Sequence, residues 1–197
     1  MITTSHLIYN WAIAKQLNKK QGENRQRLEM FLLGAVLPDL PTYVFFFFNA
    51  FILGYSQQLM WDVLYFDSVW TPVITLSHSL LLWPFLLLLS YTLKKDWLRW
   101  LSASALVHIS LDFFVHAEDA YRHFWPVTSW TFNSPISYWN PMYYGHVVGM
   151  IDTIVILGLL PWLFTQYQST KIRSLIGFLA LGYFLITFTP LLSQIFN

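Results

Sequence analysis

Long apolar runs are the feature of this sequence that most constrains its fold. They recur at about the length of 20 residues that a helix needs to cross the hydrocarbon core of a membrane, at residues 27–54, 72–93, 97–116, 147–167 and 174–196. Apolar residues at helical spacing also predict a helix over residues 3–20. The chain is therefore expected to be all-α, an integral membrane helical bundle of about five spans plus the N-terminal helix, with residues 1–197 forming a single membrane domain.

The composition supports a membrane protein and excludes several other classes. Hydrophobic residues make up 56% of the chain and charged residues only 11%, against about 25% charged residues in soluble domains. A net charge of +1 with no basic stripe excludes a nucleic-acid partner. The absence of Cys excludes disulfide scaffolds, thiolate metal sites and cysteine nucleophiles. A soluble helical bundle with a very large core remains as the alternative.

The basic residues predict an orientation in the membrane. Ten of the eleven Lys and Arg residues fall within three connections, at residues 15–27, 94–99 and 171–173. If the spans alternate in direction, all three connections lie on the same side, which is the positive-inside pattern. We therefore expect a protein of the bacterial inner (plasma) membrane with membrane lipids as partners. The loops 55–71 and 117–146 would face the extracytoplasmic side.

Ionisable residues inside the apolar runs are the candidates for function, because an unpaired charge at the bilayer centre costs about 3 kcal/mol or more. His108, Asp112 and His116 recur every four residues, so a helix would place them along one face, and Asp119 and His123 would extend that face if the helix continued. Such a row could also be a hydrogen-bonded ladder that only packs helices together.

Asp39 lies between two prolines, in the segment LPDLP. Pro38 and Pro41 disfavour continuous helix, and broken backbone at membrane depth is tolerated only where it is buried in protein or lines a polar cavity. The sequence therefore predicts that Asp39 faces a polar pocket. A capping aspartate at an ordinary turn is the alternative.

Helix rise connects these separate residues. At about 1.5 Å per residue from the basic clusters, four histidines and two aspartates reach similar depth, between the midplane and the outer leaflet: His6, Asp39, His78, His108, Asp112 and His116. Imidazole and carboxylate ligands suit divalent zinc, with manganese or iron as alternatives, at one or two sites. Two such ions would activate a water molecule and attract an anionic or lipid-like substrate. Asp112, Glu118 and Asp119 are the catalytic candidates, the last two as general base or further ligand.

These residues predict a metal-dependent hydrolase of phosphoester or lipid-like substrates, and two other functions remain open. A transporter or channel would bind a transition-metal ion in transit at the same residues, since broken helices around a midplane site are typical of transporters. A non-catalytic membrane protein would use them only for helix packing. His123, His146 and Asp152 carry no assigned role.

The motifs also resemble a known family. Ser5-His6, GAVLPDLP at 34–41, SHS at 77–79 and HISLDFFVH at 108–116, followed by Trp125-Pro126, occur in this order. This set resembles the YdjM-like family of membrane-bound metal-dependent hydrolases, which shares a distant ligand pattern with zinc-dependent phospholipase C. The resemblance covers residues 1–126 and implies that the six histidines and aspartates named above ligate metal, with Asp112 as the bridge. The two C-terminal spans carry no matching motif.

Overall fold

Helices make up all the regular secondary structure in the part of the chain that the computed structural model describes, the backbone of residues 1–196 and the side chains of residues 1–188. The all-α prediction is confirmed. The α-helices are α1 (Thr3–Gln21), α2 (Arg25–Val36), α3 (Leu40–Phe47), α4 (Gln57–Leu59), α5 (Thr71–Ser77), α6 (Leu82–Thr92), α7 (Asp96–Phe113), α8 (Gly145–Thr165) and α9 (Thr170–Phe196). Short π-helical segments at Phe48–Ile52 and Met60–Leu64 and a 3₁₀ turn at Pro141–Tyr143 complete them.

Helix α7 lies at the centre of the bundle. Helices α2 and α6 pack against it, α1 packs on α2, and α8 and α9 pack on α1. The α2–α7 crossing is close because Gly34 has no side chain: a Cβ there would lie 2.4 Å from the carbonyl oxygen of Leu101 and 2.7 Å from the Cβ of Ser104. The hydroxyl of Ser104 donates to the carbonyl of Phe31 across the same crossing. The polypeptide backbones of α2 and α7 therefore approach each other directly.

Two of the apolar runs form bent helix pairs. Helices α2 and α3 meet at 49°, and α5 and α6 meet at 51°. The first break coincides with Pro38 and with Pro41 in the first turn of α3, as the sequence predicts. At the second break the hydroxyl of Ser79 accepts hydrogen bonds from the backbone N–H groups of Leu81 and Leu82, which starts α6 as a new helix. Asp39 lies in the first break and His78 in the second.

Among the residues that the structure describes, two helical stretches are individually long and apolar enough to cross a membrane: α8 and residues Thr170–Phe188 of α9. Most of their apolar side chains are exposed, as lipid contact requires. The number reaches four if each bent pair counts as one span. Helix α7 has 18 residues but carries Asp96, Arg99 and Asp112, so the expected total of five spans stays a prediction. The side chains of residues 189–197, in and beyond the last predicted span, lie outside the described part.

The turn between α1 and α2 is held by polar side chains. Lys15 Nζ lies 2.6 Å from Glu23 Oε1, and the guanidinium of Arg27 donates to Asn18 Oδ1 at 2.8 Å. The hydrogen bond from Lys15 holds the pKa of Glu23 below its ordinary value. These contacts fix the end of α2 opposite to the one that lies beside His108 of α7.

Candidate metal centre

Four of the six predicted ligands form one buried group. In this four-ligand group, Asp39, His78, His108 and Asp112 each offer a ligand atom, and these atoms all lie within 4.8 Å of one another. His108 Nε2 lies 3.1 Å from Asp112 Oδ2 and 3.5 Å from Asp39 Oδ1, and His78 Nε2 lies 3.4 Å from the same Asp39 oxygen. Both histidines have 0% exposed surface. Such a set of two imidazoles and two carboxylates could hold a divalent metal ion.

The helix breaks and α7 position these side chains. Asp39 projects from the α2–α3 break and His78 from the end of α5, where regular helix stops. His108 and Asp112 lie one turn apart on α7 and so face the same direction. Residues far apart in the sequence thus converge on one point.

The second ring nitrogen of each histidine fixes its tautomer. His108 Nδ1 lies 2.8 Å from the carbonyl oxygen of Ala35, and His78 Nδ1 lies 3.0 Å from that of Ile74. A carbonyl oxygen only accepts, so each Nδ1 carries a proton, and in the neutral ring that a metal ion requires each Nε2 presents a lone pair. Both Nε2 atoms are buried and have no hydrogen-bond partner, which is costly without a further ligand. The residues present therefore fit a metal ion, and the carbonyls supply the outer support usual for metal-binding histidines.

The other two predicted ligands lie around the second oxygen of Asp112. His6 Nε2 lies 3.1 Å and His116 Nε2 lies 3.5 Å from Asp112 Oδ1. The Met1 amino nitrogen lies 2.7 Å from that oxygen. Asp112 therefore turns Oδ2 toward the four-ligand group and Oδ1 toward His6 and His116. A carboxylate that bridged two metal ions would likewise turn its two oxygens to different ligand sets, but here the Met1 amino nitrogen is the closest group to Oδ1 and also lies 3.1 Å from His116 Nε2.

The helix that carries His108 and Asp112 ends earlier than the sequence predicts: α7 ends at Phe113, and His116 lies beyond it. The continued helix that would have extended the row to Asp119 and His123 is therefore not formed. Beyond Phe113, the backbone carbonyls of Val115 and His116 accept hydrogen bonds from the N–H groups of Tyr138 and Ser134. These long-range bonds replace the helical ones. His116 reaches Asp112 nevertheless, while Asp119 lies in the following loop.

Of the catalytic candidates in that loop, Asp119 contacts a predicted ligand and Glu118 does not. His116 Nδ1 donates to Asp119 Oδ2 at 2.7 Å. Burial raises the pKa of Asp119, but the bond from His116 outweighs it and holds that pKa below its ordinary value. Asp119 is thus placed to orient His116. The carboxylate of Glu118 accepts a hydrogen bond from the side-chain amide of Asn140.

His123, which sequence analysis left unassigned, braces the turn that carries His78. Its Nδ1 lies 2.7 Å from the carbonyl oxygen of His78, and its own carbonyl accepts from the N–H of Leu80. Burial lowers the pKa of His123 to about 4, so the ring is neutral at pH 7 and donates through Nδ1. No local sequence pattern announces this contact, which joins residues 45 apart.

Two further contacts at the centre have no sequence signal. The hydroxyl of Thr3 donates to Asp39 Oδ2, which leaves Asp39 Oδ1 for the four-ligand group. The ring of Tyr121 stacks on that of His78, with 3.7 Å between ring centroids. Thr3 and Tyr121 therefore fix a carboxylate and an imidazole from outside the group.

Asp152 and His146 lie apart from the centre. Asp152 is buried in α8 and accepts hydrogen bonds from one serine and three tyrosine hydroxyls, those of Ser5, Tyr9, Tyr138 and Tyr183, at 2.6–3.0 Å. It joins α1 to α8 and α9 next to His6. His146 is exposed and belongs neither to the four-ligand group nor to the residues around Asp112 Oδ1.

A cavity of about 830 Å³ adjoins the centre and is partly open to the exterior. Asp39, His116, Glu118 and Asp119 are among the residues that line it, together with several aromatic side chains. A small molecule can therefore reach the edge of the ligand group.

Comparison with known proteins adds no relative: no family model, no curated protein and no solved structure matches this chain.

Proposed function

We propose that this protein is a membrane-embedded, metal-dependent hydrolase of phosphoester or lipid-like substrates. The observation that carries the proposal is the pair of buried, unpartnered Nε2 atoms of His78 and His108 facing two carboxylates. A purely structural cluster of polar residues would satisfy these atoms with hydrogen bonds. Access through the adjoining cavity supports a centre that acts on a ligand over one that only stabilises the fold.

Asp39, His78, His108 and Asp112 would hold the first metal ion, for which zinc is our choice. His6 and His116 would complete a second position with Asp112. Bound divalent ions supply Lewis acidity and a water molecule acidic enough to act as a nucleophile near neutral pH. Two carboxylates leave two divalent ions with a surplus positive charge, which favours an anionic substrate.

The remaining polar residues orient this set. Asp119 holds the His116 ring, His123 holds the turn of His78, and Thr3 holds Asp39. Glu118 and Asp119 line the cavity and are our candidates for accepting a proton from the attacking water. The resemblance to the YdjM-like hydrolases, which rests on motifs in residues 1–126, is consistent with this assignment. We place the protein in the bacterial inner membrane with the centre toward the extracytoplasmic side, from the distribution of basic residues.

A metal-ion transporter or channel is the second candidate function. It is favoured by the two bent helix pairs, α2–α3 and α5–α6, because their breaks carry Asp39 and His78. Discontinuous helices around an ion site are a feature of transporters. In that case the same ligands would bind the ion in transit.

Metal content and hydrolysis, measured together, separate these functions. We would purify the wild type, Asp112→Ala and, as a control at an exposed carboxylate, Asp67→Ala. The hydrolase proposal predicts bound zinc and hydrolysis of bis(p-nitrophenyl) phosphate in the wild type and Asp67→Ala, and loss of both in Asp112→Ala. Zinc binding and uptake into proteoliposomes without hydrolysis would establish the transporter instead. A wild type that binds no divalent metal would refute both.

A further inference from the structure

The cavity beside the metal centre has walls of two different chemistries. Four of its lining residues form its polar side and belong to the ligand group or adjoin it: Asp39, His116, Glu118 and Asp119. Other parts of the lining carry large apolar and aromatic side chains, among them Trp61, Tyr65, Phe66, Trp139 and Ile186. A ligand that fills this space must therefore combine a polar end with an apolar body.

The size of the cavity exceeds what a small water-soluble ester needs. Pockets of about 300–1,000 Å³ typically bury drug-sized ligands, and this one measures about 830 Å³. A simple phosphoester head would occupy only the polar side. Water in the remaining space would face mostly apolar walls and make few hydrogen bonds, so an apolar chain that displaces it gains free energy.

The metal ions would select the head group. Two divalent ions would face four carboxylates in and beside the ligand group, those of Asp39, Asp112, Glu118 and Asp119, so an anionic head would be drawn by direct coordination to the ions and not by a net positive wall. No Lys or Arg is among the described residues that line the cavity. The complementary ligand thus has an anionic group at one end only.

Helix α3 and the π-helical segment after it lead from the cavity to the apolar exterior. Tyr43 lines the cavity, Phe47 lies one turn further along α3, and Phe51 lies in the segment Phe48–Ile52. The rings of Phe47 and Phe51 stack on each other at 5.7 Å between centroids, and they are 56% and 71% exposed. Apolar surface is therefore continuous from a cavity wall to a side of the bundle suited to lipid.

We propose that the cavity binds the apolar chain of an amphiphilic ester whose anionic head lies at the metal centre. The inference rests on the proposed function for the position of the head group, and it selects amphiphilic substrates over water-soluble phosphoesters. The chain lies against the aromatic walls, and the scissile ester lies beside Asp39 and His116.

A chain-length series tests this with the zinc-loaded protein in detergent-free peptidiscs. The substrates are methyl, butyl and hexyl p-nitrophenyl phosphate, which differ only in the alkyl chain. We expect kcat/KM to rise about three- to fourfold for each added methylene, the factor that burying one CH₂ provides. In parallel, calorimetry measures the binding of methylphosphonate and hexylphosphonate, which cannot be hydrolysed, and gives a readout independent of activity.

Matched variants test whether the dependence on alkyl-chain length comes from the cavity walls. Phe66→Ala and Trp139→Ala remove cavity walls at partly exposed positions (42% and 54%), and Phe85→Ala and Trp97→Ala remove comparably exposed side chains (60% and 44%) elsewhere. We expect the dependence on chain length to flatten in the first pair and to persist in the second.

The outcomes distinguish this inference from the proposed function. Hydrolysis without dependence on chain length overturns the inference and leaves the hydrolase standing. If hexylphosphonate binds more tightly than methylphosphonate, Phe66→Ala weakens the tighter binding and no variant shows hydrolysis, the result supports the inference and refutes the hydrolase. Equal binding of both phosphonates in all variants, without hydrolysis, overturns both.

Discussion

The contact between α2 and α7 at Gly34 makes a sharp test of how the metal centre is held. We consider Gly34→Ala, which adds a single methyl group. That Cβ would lie 2.4 Å from the carbonyl oxygen of Leu101 and 2.7 Å from the Cβ of Ser104. Ordinary contacts of a Cβ begin at 3.4 Å, and the nearest obstacle is backbone, which cannot rotate away. The helices must therefore separate by about 1 Å.

The separation has a structural cost and a functional one. Overpacking of this kind costs about 1–3 kcal/mol of stability, and each kcal/mol shifts Tm by about 2–4 °C in a chain of this size. The carbonyl of Ala35, next to Gly34, fixes the tautomer of His108, and Asp39 follows at the end of the same segment. Loss of such support typically weakens metal binding about 10- to 100-fold. We expect both losses together.

The assay is zinc affinity by competition with a chelating dye, alongside Tm by intrinsic fluorescence. Gly158→Ala in α8 is the control, because its Cβ would meet nothing within 4 Å; Tm there stays equal or rises, since Ala is the better helix former. A Gly34→Ala protein with the Tm and zinc affinity of the control would show that the close crossing does not hold the centre.

Three further predictions follow from other contacts. Asp152→Asn lowers Tm, because an amide oxygen cannot accept from all four hydroxyls and each one left without an acceptor costs about 1–3 kcal/mol; an unchanged Tm contradicts the role of Asp152 as a tether. The hydrogen bond from Lys15 lowers the pKa of Glu23, so we expect the wild type to have a higher Tm than Glu23→Gln at pH 7. This difference in Tm is lost below pH 4.5, as the pH falls through the pKa of Glu23 in the folded state. An equal difference in Tm at pH 3 would refute the ion pair as its cause. Removing zinc with a chelator lowers the Tm of the wild type by about 5–10 °C from a state loaded at a hundredfold excess over Kd, and Asp112→Ala shows no such shift if the ligand assignment is right.

Helix periodicity and proline positions predicted much of the fold. The expected helix over 3–20 is found at Thr3–Gln21, and the break around Asp39 lies where Pro38 and Pro41 place it. These features depend on local sequence, since spacing and backbone restrictions act within a few residues. The bend between α5 and α6 was not predicted, because the run 72–93 reads as one apolar stretch. At that break, besides the Ser79 cap, His123 from a distant loop forms hydrogen bonds with the backbone of His78 and Leu80.

The candidate site shows the same division between local and distant causes. The rule that ionisable residues in apolar helices need partners selected Asp39, Asp112 and the four histidines that lie around them. The course of the chain after Phe113 escaped prediction because hydrogen bonds from Ser134 and Tyr138 end the helix there. Thr3 and Tyr121 likewise escaped, since hydroxyl and aromatic residues are common and nothing local marks their contacts.

The wide sequence separation of the ligands has a consequence for biosynthesis. The four-ligand group needs Asp39, His78 and both α7 residues in place, so no earlier portion of the nascent chain can capture the ion tightly. If the group holds a metal ion as we propose, loading would follow synthesis of the first 112 residues, and the cation would then tie together segments that were made at different times. A shortage of metal would in that case leave a fully synthesised chain whose central helices are joined less tightly.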